Sequence, residues 1–107
     1  MSQQFVDTVQ QEIAEEKADA LGRAGRRLQL TLERFRELEQ RPADPEHTQP
    51  KRERLLWELA ERIESLIVQR EACGLRDSRY VLAFYGVPGE AVARIGAKRR
   101  DGADRSV

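Results

Sequence analysis

The chain has 107 residues, of which 36% are charged and 39% are apolar, so its apolar content allows one small domain and no second independent core. Nineteen basic and nineteen acidic side chains give a formal net charge of zero. This balance excludes the uniform positive field on which non-specific binding to nucleic acid or to anionic membranes depends.

Cysteine content and hydropathy indicate a cytoplasmic protein. The single cysteine, Cys73, cannot form an internal disulfide, which fits a reducing compartment. Residues 1–11 are polar and lack the apolar core of a secretory signal. No apolar run reaches the roughly 18 residues that a membrane-spanning helix needs, so we expect no membrane partner.

A long amphipathic helix is predicted over residues 3–41, which contain no proline and carry apolar residues at helical spacing. Four of these residues stand seven apart, as in a coiled coil: Ala14, Leu21, Leu28 and Phe35. A thinner apolar stripe continues upstream through Phe5, Val9 and Ile13. Because a glycine inside a helix costs about 1 kcal/mol relative to alanine, the alternative is a kink or break near Gly22.

A second, shorter helix is predicted from about Pro50 to Cys73, where helical periodicity returns. The preceding residues 42–50 contain three prolines and indicate a solvated connection. Such a connection permits an antiparallel hairpin, in which the second helix covers the first only back to about Leu21. The start of the first helix is then uncovered, and we expect either the C-terminal segment or another chain to cover it.

The C-terminal segment is dense enough in apolar residues to be buried. Residues 79–85 have the aromatic and β-branched content of a strand, but the chain offers no second strand, and we predict two short helices around Gly86 that cap the uncovered start of the first helix. Residues 1–97 are therefore expected to form a single all-α domain, a helical hairpin with two short C-terminal helices. Residues 98–107 are expected to be a disordered basic tail.

Charge order along the first helix predicts a homodimer. Residues 1–20 carry five acidic side chains against one lysine, a net charge of −4, whereas residues 21–41 carry six arginines against three glutamates, a net charge of +3. An antiparallel second copy that crosses near Ala20 would place Glu15 beside Arg26, bring Phe5 near Phe35 and form a dimeric helical bundle. The alternative is that these charges line a solvated face and that the small residues at the crossing pack on the chain's own C-terminal segment. The predicted interface residues are Phe5, Val9, Ile13, Glu15, Ala20, Arg26 and Phe35.

No catalytic constellation, metal-ligand cluster or cofactor motif is found in the sequence. Lys17 and Arg70 are the polar residues nearest the centres of the two apolar stripes, and two cations beside a cleft could bind an anion. We therefore expect a non-enzymatic helical interaction or scaffold protein that self-associates, with no cofactor. An anion-binding helical-bundle enzyme is one alternative.

The second alternative is a small DNA-binding regulator. Residues 81–95 place a short helix, a Gly-Val turn and another short helix in the order that resembles helix-turn-helix DNA-binding segments. The resemblance implies that Arg94 reads a groove edge and that Lys98, Arg99 and Arg100 contact phosphates. Because Arg94 alone could read bases, nucleic acid is not the expected partner.

Overall fold

The chain forms a helical hairpin with two short helices beside it, in a computed structural model that describes residues 2–41 and 44–97. Most of these residues belong to four α-helices: α1 (Gln3–Gln40), α2 (Pro45–Ala72), α3 (Arg79–Tyr85) and α4 (Gly89–Val92). The prediction of an all-α fold with a long helix packed on a shorter one is confirmed. The predicted disordered tail lies outside the described residues.

Helix α1 continues without a break for 38 residues, which corresponds to about 57 Å. Ser2 caps its first turn, since its Oγ atom accepts a hydrogen bond of 3.2 Å from the amide of Phe5. The helix passes through Gly22 and Gly25, so the alternative of a break near Gly22 is wrong. All of its buried residues lie in the half that begins at Ala24.

Helix α2 begins at Pro45, earlier than the predicted start near Pro50. Pro45 occupies the first turn, where a missing amide N–H leaves no helical hydrogen bond unmade. The carbonyl of Asp44 accepts the amides of His47 and Thr48 at 3.1 and 2.8 Å. Pro50 lies inside the helix and removes one backbone hydrogen bond close to the exposed N-terminal end. The predicted solvated connection is therefore too long.

The core lies between α1 and α2. Its central side chains are fully or almost fully buried aliphatic residues of both helices: Leu28, Leu32, Leu56, Leu59 and Ile63. Thr31 is also fully buried, and its hydroxyl donates a hydrogen bond of 3.1 Å to the carbonyl of Arg27, so this polar group has a partner away from water. The periodic leucines that predicted the two helices are thus the residues that join them.

Residues 79–85 are helical, so the strand alternative is wrong. The prediction that the two short helices cap the start of α1 is also wrong. Gly74, with a left-handed φ of 84°, follows the end of α2, and the chain then returns alongside the hairpin. Val81 of α3 and Ala91 of α4 are buried against the core, where they remove apolar surface from water.

Arg52 of α2 holds three helices together. Its Nε donates to Glu39 of α1 at 2.6 Å, and its Nη1 donates to Glu90 of α4 at 2.8 Å. The guanidinium also lies 5.3 Å from the centre of the Phe35 ring, a favourable cation–π contact. The hydrogen bond from Arg52 lowers the pKa of the Glu90 carboxyl below its usual value.

The contact between Arg52 and Glu90 is expected to make stability depend on pH. Because the pKa of Glu90 is lowered by folding, its contribution is present above the unfolded pKa of about 4.3 and is lost as the pH falls through the folded value. In denaturant unfolding, the difference in stability between the wild type and Glu90→Gln should be smaller at pH 3 than at pH 7. A difference that is the same at both values would contradict this assignment.

The two glycines of α1 are expected to respond differently to alanine. A Cβ at Gly22 would meet only the guanidinium of Arg26, at 3.2 Å, and that flexible group can move, so Gly22→Ala should stabilise the protein by up to about 1 kcal/mol. A Cβ at Gly25 would lie 3.0 Å from the hydroxyl of Tyr85, and Gly25→Ala should lose this gain. In a Tyr85→Phe background the gain should return, measured by thermal unfolding.

Candidate interaction surface

The N-terminal part of α1 extends beyond the end of α2. Helix α2 ends at Ala72, and the Sγ atom of the next residue, Cys73, lies 3.6 Å from the carbonyl oxygen of Lys17. In the part of the chain that the structure describes, none of residues 3–16 is buried. We call these residues the overhang; their length is about 21 Å at 1.5 Å per residue.

The overhang carries uncovered apolar side chains. The exposed fractions of Phe5, Val9 and Ile13 are 54%, 37% and 49%. At its base, between Ile13, Leu21 and the end of α2, lies an open groove of about 510 Å³. A row of large apolar side chains on one helix face is the usual form of a helix–helix contact, so this surface is the leading candidate for an interface.

The charged side chains around this surface form no ion pairs with other described residues. Among the described residues, no ion pair involves an acidic residue of the overhang, nor Arg23, Arg26 or Arg27 in the adjoining part of α1. Of the predicted interface residues, Glu15 and Arg26 are exposed and Ala20 is half-buried. Glu15 accepts one hydrogen bond of 3.1 Å from Gln11. Opposite charges are therefore available to a partner on both halves of α1.

Phe35 is not at this surface. Its side chain is 5% exposed and lies in the core beneath Arg52. The predicted contact between Phe5 of one copy and Phe35 of another therefore does not fit the structure. The small residues at the expected crossing are also partly used within the chain, since Ala24 is buried and Gly25 lies against Tyr85.

The structure does not bring Lys17 and Arg70 into one anion site. Lys17 lines the groove at the base of the overhang, whereas Arg70 lines a separate groove of about 400 Å³ between α1 and α3. Arg70 donates to the hydroxyl of Tyr80 at 2.8 Å and to the carbonyl of Asp77 at 3.1 Å, and its guanidinium lies 5.1 Å from the centre of the Tyr80 ring. Arg70 thus fastens α3 to α2.

Arg94 does not face outward as a helix-turn-helix arginine would. It donates to both carboxylate oxygens of Glu53 at 2.9 and 3.0 Å, and its guanidinium lies 5.7 Å from the centre of the Trp57 ring. Gly86 does form the left-handed turn after α3, but α4 has only four residues. Lys98, Arg99 and Arg100 lie outside the described residues.

The sequence pattern missed two features of the surface. Leu30, which lies away from the core-facing stripe of α1, is 58% exposed, and its position off the heptad spacing could have indicated this. His47 contacts the carboxylate of Asp44 at 2.7 Å, because the early start of α2 brings residues three apart onto one face.

No protein-family model, curated protein or solved structure matches this chain. Over residues 2–41 and 44–97, no helix is both long enough and apolar enough to cross a membrane. Across the same ranges, no three or more histidine, cysteine, aspartate or glutamate side chains are grouped so as to hold a metal ion.

Arg94 is expected to stabilise the fold through its contacts with two side chains of α2. Arg94→Ala removes the contacts with Glu53 and Trp57 and should lower the free energy of unfolding by about 1 kcal/mol. Arg79→Ala is the control, because Arg79 is paired only with Asp77, two residues away, at an exposed site. Denaturant unfolding of both variants tests this, and an Arg94→Ala loss no larger than that of Arg79→Ala would contradict it.

Proposed function

We propose that this protein is a non-enzymatic helical interaction protein that self-associates through the overhang of α1. The observation that carries the proposal is the uncovered apolar row of Phe5, Val9 and Ile13, which the rest of the described chain leaves in water. Burying such a row stabilises an assembly in proportion to the apolar area removed from solvent.

Charge distribution supports a second copy of the chain as the partner. Residues 1–20 have a net charge of −4 and residues 21–41 a net charge of +3, so two antiparallel copies of α1 bring each acidic half beside a basic half. A parallel arrangement would place like charges together. In a two-fold symmetric dimer every such contact occurs twice, which doubles the electrostatic preference for the antiparallel arrangement.

Helical packing supports the same assignment. The overhang is continuous with the part of α1 that the core holds in place. Its apolar side chains therefore stay on one side of the helix. In an antiparallel dimer the acidic overhang of each copy lies beside the basic half of the other copy's α1, without requiring any other molecule. As part of this proposal, the dimer acts in the cytoplasm, where the unpaired thiol of Cys73 stays reduced.

Self-association is tested by molar mass. The wild type should show a mass near twice 12.3 kDa at micromolar concentration in light scattering or sedimentation equilibrium. Val9→Glu combined with Ile13→Glu introduces charge into the apolar row and should weaken the dimer at least about tenfold. Val68→Glu is the matched control, since Val68 is 59% exposed on α2 and lies outside the overhang.

Circular dichroism should show the same helical content for all three proteins, because none of the substituted side chains belongs to the core. A wild type that stays monomeric at all micromolar concentrations measured would contradict the proposed function. A Val68→Glu variant that is weakened as much as the overhang variant would show that the dimer uses another face.

A further inference from the structure

One exposed stripe of α1 is complementary to itself when the helix is reversed. Six side chains form it, in chain order Val9, Glu12, Glu16, Arg23, Arg27 and Leu30. At 3.6 residues per turn they fall within an arc of about 60° over about 32 Å of helix. The arc is centred roughly 120° around the helix from the leucines that face the core, so neither α2 nor the core covers it, and all six residues are exposed.

The charges of this stripe have no ion-pair partner among residues 2–41 and 44–97. Glu12 and Glu16 are like-charged neighbours at the i, i+4 spacing, and Arg23 and Arg27 are another such pair, an arrangement that destabilises an isolated helix. Among the residues that the structure describes, none of the four takes part in an ion pair. An oppositely charged surface would relieve both repulsions.

The order of the six residues along the stripe lets a reversed copy of the same stripe provide the oppositely charged surface. Its members form three pairs that share one midpoint, between Asp19 and Ala20: Glu16 with Arg23, Glu12 with Arg27, and Val9 with Leu30. A two-fold axis through this midpoint places each member opposite its pair on an antiparallel copy. Each acidic residue then meets an arginine and each apolar residue meets another apolar residue. The same axis brings Phe5 to the level of Arg34, whose side chain is 55% exposed.

We propose that a second copy of this chain docks antiparallel along this stripe, with its two-fold axis between Asp19 and Ala20. This register rests on the proposed self-association and specifies which side chains meet. Of the apolar row, it places Val9 on the stripe and Ile13 about 40° beyond the edge of the stripe. It replaces the expected pairing of Glu15 with Arg26, because Arg26 lies on the side of α1 that faces α3 and lines the groove there.

Charge reversal tests the register. Glu12→Arg with Glu16→Arg makes all four charges positive, and Arg23→Glu with Arg27→Glu makes all four negative. Each double variant should weaken the dimer at least about tenfold, as expected when several exposed ion pairs become repulsive. The quadruple variant restores every opposite pair in an antiparallel dimer and should dimerise within about threefold of the wild type.

Arg26 and Arg27 provide a matched control. Both are exposed arginines of the same turn, but only Arg27 belongs to the stripe. Arg27→Glu should weaken the dimer clearly more than Arg26→Glu, measured by sedimentation equilibrium at low salt. Equal effects, or double variants that dimerise like the wild type, would overturn the register while leaving the proposed function intact. A weak quadruple variant would overturn the antiparallel pairing.

A cross-link tests the axis without altering the charges. In a Cys73→Ser background, Ala20→Cys places the two new thiols beside the axis, within the distance that a disulfide allows. Ala14→Cys is the control, because its two copies would be about 16 Å apart along the helix. Mild oxidation should give a covalent dimer of the first variant only. A cross-link through position 14 would overturn the register, and a wild type that is monomeric would overturn the proposed function and the register together.

Discussion

The difference in length between α1 and α2 determines which surfaces of this protein are buried. The core ends where α2 ends, and α1 continues for the length of the overhang without a buried residue. An isolated helix of that length is marginal in water because nucleation is costly. The overhang avoids this cost, since it extends a helix already fixed by the core and is capped at Ser2. Its helical form therefore does not require a partner, whereas the burial of its apolar row does.

Arginine side chains join the C-terminal segment, which contains α3 and α4, to the hairpin. Each of three arginines places its guanidinium over an aromatic ring while it donates hydrogen bonds to oxygen atoms: Arg52 over Phe35, Arg70 over Tyr80, and Arg94 over Trp57. A planar guanidinium can stack and donate at once, which an ammonium cannot do as well. Arg70 and Arg94 were predicted to bind ligands because of their charge. Their guanidinium groups instead contact side chains of the same molecule.

Periodicity in the sequence was sufficient to predict the helices and the face by which α1 and α2 pack, because burial imposes the 3.6-residue repeat. It did not predict the start of α2, since a proline near a helix end costs less than one in the middle. The path of the C-terminal segment depended on contacts between distant residues, such as Tyr85 with Gly25, which no local pattern contains. Phe35 was misassigned although its spacing of seven from Leu28 places it on the core-facing stripe, where it is buried beneath Arg52 of α2.

Under the proposed self-association, α1 meets two requirements on neighbouring faces, and the proposal accounts for its unusual charge order. The leucines of α1 commit one face to α2 and leave the adjoining face to charged residues. If those charges served solubility alone, opposite signs four residues apart would stabilise the helix, yet Glu12 and Glu16 share one sign and Arg23 and Arg27 share the other. Clustering of like charges weakens the monomeric helix slightly, and in the proposed dimer a reversed copy would place an opposite charge beside each of them. The segregation is therefore better explained by pairing between chains than by stability within one.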